Sequence, residues 1–312
     1  MLRLWTTLST LGWIFWLVRY LFANRGFIPF SPHVRIYEPN QHALIAWNGK
    51  EQILILSTNM RASESSQVLE VLPLPSEPTV KEGDLQVFNR AVELMRTKSY
   101  YHGARTSSGI GRAAKGAAEP AGEVTFHERI GTHDISVVHV LHRDGFTNWV
   151  ESHLLSAGVE KPQMPKGMNE IVQQYLDEGF VWFVFDVVSL SQDLKTSNPI
   201  QYRFSTPRLF YPLKITQLGE GETLIELFVV TDQRLVEFSG ISRWTVRSSP
   251  AIELSAREVE WLSTEVAALF EKREALQLQL WEIEGSLHTF RDDLVVDRLN
   301  VGSAKKVADG NW

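Results

Sequence analysis

The chain contains no cysteine. This absence excludes disulfides, cysteine-ligated zinc, iron–sulfur clusters and thiol nucleophiles, whichever compartment the protein occupies. The GxSxG and DxDxDG motifs are absent too, and Gly109, Gly111 and Lys115 fit neither dinucleotide nor Walker spacing. Any enzyme built on this chain must therefore work with oxygen and nitrogen groups.

Basic residues are fewer than acidic ones, 31 against 37 in 312 residues, which gives a net charge of -6. Arg3, Arg19 and Arg25 lie in the first 25 residues, which contain no acid, so the remainder carries 28 basic and 37 acidic residues. Such an acidic body excludes nucleic acid as an expected partner and disfavours simple adsorption to anionic lipid. The 44% hydrophobic and 22% charged residues are typical of a globular protein.

One apolar stretch, residues 4–22, stands apart from the rest of the chain. It holds 13 apolar residues, four Ser or Thr, one Gly and one Arg. As a helix it spans about 28 Å, close to the roughly 30 Å of a bilayer core. Trp13, Trp16, Arg19 and Tyr20 crowd its end, as interfacial anchors do. We expect residues 1–25 to form a single-pass membrane anchor or signal segment.

A cleaved signal peptide and a buried core helix are the alternatives for this stretch. Leu21 and Ala23 before Asn24 do not make a small-x-small cleavage site. The proline-punctuated linker 26–32 and the lack of a charged face disfavour a core helix. Orientation stays open, because the arginines that follow the stretch favour a cytoplasmic domain whereas the short N-terminal tail is typical of export signals.

The first half of the folded region, residues 26–98, begins with a predicted hairpin. Asn48-Gly49 separates the apolar runs 43–47 and 52–57 and favours a type I′ turn, in which both central residues have positive φ. A third strand is predicted at 68–72. The three prolines of 72–78 exclude a helix there.

Asp84 is the expected N-cap of a helix that runs to about Thr97. Its predicted buried face comprises Leu85, Phe88, Val92 and Met95. Residues 99–122 follow, in which 15 of 24 residues are Gly, Ala, Ser or Pro. We expect a flexible inserted loop there.

Residues 123–300 are expected to form the second half of the fold. Hydrophobic patterns predict strands at 124–130, 135–141, 180–188, 200–204, 211–217 and 223–231. Two helices, 147–157 and 169–178, are expected to end at Gly158 and Gly179.

Near the C-terminus, Ser255 and Glu258 form a capping box for a further helix. Its apolar residues are Val259, Leu262, Val266 and Leu269. Helical spacing can continue this helix to Ile283, whereas the alternation over 276–280 is that of a strand. Residues 301–312 are expected to be a disordered tail. The pattern predicts an α+β fold of mixed, mostly antiparallel sheets with packed helices, after one N-terminal transmembrane or signal helix, in one domain or two close subdomains.

Several sequence blocks resemble the prokaryotic family known as domain of unknown function 2330. They are FIPFSPHVRIYEPNQHALIAWNG, LILST and LEVLPLPSEP within residues 26–78, then FVWFVFDVV, YPLKIT and WEIEGSLHTFRDDL. The resemblance implies an export signal or anchor and therefore an extracytoplasmic domain, with no established activity. It also favours a strand before Gly285. Many bacterial members carry cysteines near the mature N-terminus, and any role that depends on them is inapplicable here.

Histidines cluster between His127 and His153, and histidine is the commonest metal ligand. His127, His133 and His139 are the candidates. His139 and His142 face opposite sides of a strand, and His127 and His133 are not four apart on a helix. We therefore expect scattered surface histidines, with no metal and no cofactor.

Three acids are the candidate catalytic residues. Glu282 and Glu284 lie about 7 Å apart on one face of a strand, a spacing that suits an acid and base pair. If Trp281 and Ile283 point inward, however, both glutamates point to water. Asp186 interrupts the most apolar strand, where a carboxylate is costly unless it is bonded. Backbone amides or Arg203 are its expected partners.

These observations favour a membrane-tethered extracytoplasmic domain that binds an envelope protein or small ligand without catalysis. The alternatives are a hydrolase that uses the three acids, with or without a divalent metal ion, and a small-ligand receptor. The partners expected from sequence are thus the membrane, through residues 4–22, and an envelope protein or ligand.

Overall fold

A computed structural model describes residues 27–30, 33–99, 123–140, 146–156, 167–218, 221–238, 246–271, 275–296 and 301–302. The expected membrane segment 4–22 and nearly all of the expected loop 99–122 lie outside them. Within these ranges no helix is both long and apolar enough to cross a membrane. The fold is α+β, with mostly antiparallel sheets and few helices, as the sequence predicts.

The larger sheet has nine strands. Seven follow one another in the order β14-β16-β12-β2-β3-β10-β5, while β15 pairs with β16 and β9 with β3. Their bounds are β2 Ile36–Trp47, β3 Glu51–Ala62, β5 Thr79–Glu82, β9 Lys195–Thr196, β10 Ile200–Ser205, β12 Glu222–Thr231, β14 Val246–Ser248, β15 Ile252–Ser255 and β16 Ala275–Ser286. β2 and β12 run parallel, and the other pairs in this sheet are antiparallel.

The smaller sheet has five antiparallel strands in the order β1-β4-β8-β7-β6. They are β1 Phe27–Pro29, β4 Ser66–Leu74, β6 Glu123–Ile130, β7 His133–His139 and β8 Trp182–Leu190. Two short ladders join β11 Leu209–Tyr211 to β17 Leu294–Val296 and β13 Arg234–Leu235 to β18 Val301–Gly302. Residues 301 and 302 of the expected tail are therefore paired, and 303–312 lie outside the described residues.

The two sheets and the helices on their outer sides form four layers. The facing sides of the two sheets share one core, which includes Ala43, Ile45, Leu72 and Val184. The outer side of the nine-stranded sheet packs on α1 Gln86–Ser99, α4 Ala256–Leu262 and α5 Thr264–Leu269. The outer side of the five-stranded sheet packs on α2 Phe146–Ser156 and α3 Met168–Asp177. Residues from both halves of the sequence contribute strands to both sheets.

The predicted hairpin is present as β2 and β3, but its turn differs by one residue. The Asn48 amide donates to the Glu51 carbonyl at 3.2 Å, so Gly49 and Lys50 are the central pair. Positive φ occurs at Gly49, 89°, and not at Lys50, which is the type II′ requirement rather than type I′. Asn48 instead acts through its side chain, whose Oδ1 accepts from the amides of Lys50 and Glu51.

Helix α1 is capped as predicted, and the face that it buries overlaps the predicted one. Asp84 Oδ1 accepts from the Gln86 amide at 2.9 Å. Of the predicted residues, Phe88 is buried, Val92 and Met95 are partly buried against the same core, and Leu85 is exposed. The fully buried positions also include Val87, Ala91 and Leu94. The buried face is therefore centred closer to Val87 and Leu94 than predicted, because packing against the sheet buries parts of two adjacent apolar stripes.

The predicted helix after Ser255 is divided in two. Ser255 and Glu258 form the capping box, but Ser263 adopts an extended conformation, φ -164°, and its side chain caps α5. The four predicted apolar residues are still buried, shared between α4 and α5. Residues 275–286 then form strand β16, so the helical continuation is wrong and the strand is confirmed.

The strand predicted at 211–217 is also wrong. Strand β11 ends at Tyr211, and residues 214–218 form a 3₁₀ helix. Thr216 Oγ1 donates to the Leu213 carbonyl at 2.6 Å, a local bond that competes with sheet pairing.

The end of α3 at Gly179 is confirmed and gives a stability prediction. The Gly179 amide donates to Leu176 and the Phe180 amide to Tyr175, which is the Schellman arrangement. Gly179 has φ 91°, and a Cβ added there meets nothing within 4 Å. Gly179→Ala is therefore expected to lower the free energy of unfolding by about 1–2 kcal/mol through backbone strain alone. Denaturant titration measures this change, and Gly179→Asn, which tolerates positive φ, is expected to cost less.

Candidate functional site

Asp186 and His133 form a buried pair between the two sheets. Asp186 lies between Val184 and Val188 on β8, on the side that faces the larger sheet, and is 2% exposed. On the neighbouring strand β7, His133 is 3% exposed, and its Nδ1 hydrogen-bonds to Asp186 Oδ2. Glu70, also buried, is directly opposite Asp186 on β4. Three adjacent strands thus bring three titratable groups into the apolar interior.

The pair perturbs both pKa values in the same direction. Burial by itself lowers the pKa of His133, but the hydrogen bond and charge of Asp186, with the charge of Glu70, outweigh burial and raise it above its ordinary value. Burial raises the pKa of Asp186, and its bond to His133 restrains the rise. The folded pair therefore keeps its protons to a higher pH than the free side chains do.

The partner of Asp186 differs from both expected ones. Arg203 pairs with Glu51 instead, with Nη2 and Oε2 2.8 Å apart. His133, expected among scattered surface histidines, is buried and takes the place predicted for Arg203. The sequence predicted correctly that Asp186 is a buried carboxylate that needs a partner. It did not predict the strand register, which pairs Asp186 with a residue 53 positions earlier.

The other candidate histidines serve separate contacts. His127 Nδ1 shares a hydrogen bond with Ser136 Oγ at 2.9 Å, and its Nε2 lies 3.4 Å from Asp134. His139 stacks on Trp182 with ring centroids 4.3 Å apart. His142 lies outside the described residues. In the ranges that the structure describes, no three His, Asp or Glu side chains come together in a way that could hold a metal ion.

Glu282 and Glu284 lie on the outward face of β16, while Trp281 and Ile283 are buried. Arg247 on β14 bridges the two acids, with Nε 3.3 Å from Glu282 and Nη2 3.0 Å from Glu284. Both acids raise the pKa of this exposed guanidinium. The two carboxylates are thus held together by a surface cation between them.

A second buried polar cluster, which sequence reasoning missed, joins α3 to the chain before β17. Tyr175 donates through its hydroxyl to Asp293 Oδ1 at 2.8 Å, and the Lys214 amide donates to the same oxygen at 2.8 Å. Lys214 is itself buried, with Nζ 2.6 Å from Glu178 Oε1 and 4.2 Å from the centroid of the Tyr175 ring. No spacing motif predicts this cluster. The available sequence signal is Tyr175 itself, because an aromatic hydroxyl on the buried face of a predicted helix requires a hydrogen-bond partner.

Burial shifts the pKa of two acids of this cluster, Asp293 and Tyr175. Burial raises its pKa to about 6, against the lowering effect of the bonds from Lys214 and Tyr175. Burial, with the charge of Asp293, raises the pKa of Tyr175 well above its ordinary value. Both donors converge on a single oxygen of Asp293, Oδ1.

The family model for an uncharacterized protein conserved in bacteria, domain of unknown function 2330, matches residues 23–277. The chain belongs to this family. In this member of domain of unknown function 2330, His133, Asp186, Tyr175 and Lys214 lie within the matched residues. Asp293 lies beyond them, as do Glu282 and Glu284. No curated protein matches the chain.

Solved structures similar to this family member are those of baculovirus p35. The crystal structure of p35 covers 86% of this chain and 99% of its own, with 8% identity and a TM-score of 0.42. A chain of the caspase-8/p35 complex matches over 83% of this chain and 96% of its own length, with 7% identity and a TM-score of 0.37. A mutated baculovirus p35 after caspase cleavage is 10% identical, with a TM-score of 0.36, and matches over 83% of this chain and 99% of its own length. Similarity this weak carries no statement about activity or partner.

Proposed function

We propose that the protein is a membrane-tethered, extracytoplasmic binding module of the cell envelope that performs no catalysis. The apolar residues 4–22 supply the tether, and the α+β body supplies the binding surface. The observation that carries the non-catalytic part is the engagement of the three acids that the sequence singled out. An acid that serves as a general acid or nucleophile needs access to a substrate, and these are bonded within the chain.

Each acid supports this proposal in a different way. Asp186 is 2% exposed and bonded to His133, so a substrate has no path to its carboxylate in this conformation. Glu282 and Glu284 are more accessible, but the guanidinium of Arg247 lies between them and forms an ion pair with each. A hydrolase of this type holds its substrate between its two acids, and here Arg247 occupies that position.

The partner that this proposal favours is an envelope protein or a small ligand rather than nucleic acid. The body is acidic, with 37 Asp and Glu against 31 Lys and Arg in the whole chain. Long-range electrostatics therefore favours cationic or neutral partners.

Flotation with phosphatidylcholine vesicles tests the tether. The full chain is expected to float with the vesicles, and a chain that lacks residues 1–25 is expected to stay in the soluble fraction. Truncation stops short of β1, so the folded body is retained. Identical fractionation of the two chains, with neither bound to vesicles nor secreted, would contradict the tether.

A topology reporter fused after Trp312 tests the compartment. If the body is extracytoplasmic, a reporter that works only outside the cytoplasm will give a signal. A reporter that works only in the cytoplasm will give none.

An activity assay tests the non-catalytic part of the proposal. Turnover of an envelope polymer by the parent protein that disappears in Glu282→Gln and Glu284→Gln would overturn it. Both substitutions are at accessible positions, so loss of folding would not explain such a result.

A further inference from the structure

Strand β6 differs in length from the other strands at the ends of the two sheets. It has eight residues and ends the five-stranded sheet beside β7. The other end strands are short: β1 and β14 have three residues each, and β5 and β15 have four. Folded proteins commonly keep edge strands short, because an unpaired edge is a template for another strand. Strand β6 is therefore the longest sheet edge in the part of the chain that the structure describes.

The backbone groups that β6 presents follow from the hydrogen bonds of β7. The Val140 amide donates to the Val181 carbonyl, so even-numbered residues of β7 bond to β8 and odd-numbered ones to β6. Strand register places opposite those odd-numbered residues Phe126, Glu128 and Ile130. The N–H and C=O groups of His127 and Arg129 therefore point away from the sheet. Within the described ranges, no hydrogen bond joins these backbone groups to another residue.

This edge is regular over residues 126–130 and is fixed at its end. A bulge at Thr125 turns the preceding part of β6 out of register, so the regular template begins at Phe126. The turn after β6 contacts the larger sheet at Gly131, where an added Cβ would lie 2.9 Å from the side chain of Asn198. Asn198 in turn donates to Glu82 on β5 at 3.4 Å. An edge that is already ordered loses little conformational entropy when a strand is added, which favours binding.

The side chains along the edge indicate the chemistry of an added strand. On one face, the Arg129 guanidinium is 4.0 Å from Asp134, and the Arg129 side chain is 75% exposed. An acidic side chain on an added strand can therefore pair with Arg129 from the open side. On the other face, Phe126 is half-buried against the core between the sheets, and an apolar side chain beside it would extend that contact. The edge thus fits an extended segment that alternates apolar and polar residues, with an acid near Arg129.

We propose that the edge of β6 takes up an extended segment of an envelope protein as a sixth strand of the smaller sheet. Main-chain hydrogen bonds to His127 and Arg129 supply affinity, and the alternating side chains supply specificity. This inference rests on the proposed binding function and adds to it the site and the kind of partner. The acid is a local requirement, so it agrees with the neutral or cationic partner that the acidic body favours.

Peptide binding to the full chain in detergent micelles tests the site. The probe is the fluorescent heptapeptide acetyl-Thr-Val-Glu-Val-Thr-Val-Thr-amide. One comparison peptide has Lys in place of Glu, and another has Pro in place of the central Val. We expect the Glu peptide to bind with a Kd below about 1 mM, the Lys peptide to bind at least about threefold more weakly, and the Pro peptide not to bind. Binding of the Glu peptide is expected to slow the exchange of the His127 and Arg129 amide protons, which NMR measures.

Arg129→Glu is expected to reverse the preference between the Glu and Lys peptides. Arg257→Glu, at an exposed position on α4, makes the same change in net charge away from β6 and is expected to leave the preference unchanged. If neither charged peptide binds, or if Arg129→Glu does not alter their order, the proposal is wrong.

Slow exchange of the His127 and Arg129 amides without peptide would also overturn the proposal. Another part of the chain or a second copy would then occupy the edge, and exchange that becomes faster on dilution would identify the second copy. The flotation and turnover experiments do not involve β6. Failure of the proposed function and failure of this binding site are therefore distinguishable.

Discussion

His133→Leu is expected to lower the free energy of unfolding by about 3–5 kcal/mol at neutral pH. The substitution removes the hydrogen-bond partner of Asp186 and leaves a carboxylate that is 2% exposed in an apolar interior. The cost is that of an uncompensated buried charge, or of the proton that must be bound to neutralise it. Urea titration followed by circular dichroism measures the change.

The double variant His133→Leu with Asp186→Leu is the control for this prediction. Removing both polar groups leaves two apolar side chains in an apolar core, which is commonly less costly than breaking a buried pair. We expect the double variant to be more stable than His133→Leu alone. A double variant that is as unstable as the single one, or less stable, would show that Asp186 is not the reason for the loss.

Asp186→Asn tests the electrostatic part of the same pair. The amide oxygen can still accept from His133 Nδ1, but the negative charge is gone. Because burial alone lowers the pKa of His133 and Asp186 is the main group that raises it, the pKa of His133 is expected to fall. Titration of the histidine ring protons by NMR measures it, and His42, on the opposite face of the larger sheet, is an internal reference. An unchanged His133 titration would contradict the coupling.

The sequence predicted the elements of the fold better than their partners. Hydrophobic alternation is local, so β4, β8, β10 and β12 were recognisable from the residues of each strand. Pairing is not local: Asp186 meets His133 only because β7 lies beside β8 in a register that brings Ile135 opposite Asp186. A shift of one residue would turn one of the two side chains to the other face.

The errors in predicted elements have similar causes. At Ser263 the side chain caps a second helix, and a local hydrogen bond overrides helical spacing that continues through it. At Gly49 the glycine takes the first central position of the turn instead of the second, because strand register and not the Asn-Gly pair fixes the turn. In α1 two apolar stripes overlap, and only packing against the sheet distinguishes them.

The two buried polar clusters also differ in how readily they could be predicted from the sequence. Asp186 was identified because a charge within an apolar strand is anomalous at once. Asp293 lies in the charged run Arg291-Asp292-Asp293, where a carboxylate is unremarkable, and its hydrogen-bond donors come from residues 175 and 214. Burial there depends on how α3 and the 3₁₀ helix Lys214–Leu218 pack, which no local pattern contains.

Asp293→Asn is expected to stabilise the protein by up to about 3 kcal/mol at pH 7 and to have little effect near pH 4. The pKa of Asp293 is about 6 in the fold, against 3.8 as its ordinary value. A group with a raised folded pKa stabilises the fold fully below pH 3.8, and this contribution is lost as the pH rises towards about 6. Above that pH the folded protein holds a buried carboxylate at full cost.

Asparagine reproduces the protonated acid at every pH, because its Oδ1 can accept from Tyr175 and Lys214 as Asp293 Oδ1 does. The difference in unfolding free energy between variant and parent should therefore grow between about pH 4 and 6 and level off above it. Tyr175→Phe is the matched control: it removes one bond to Oδ1, is expected to cost about 1–2 kcal/mol, and retains the titration of Asp293. A difference between Asp293→Asn and the parent that stays constant over this range would mean that Asp293 does not hold its proton in the fold.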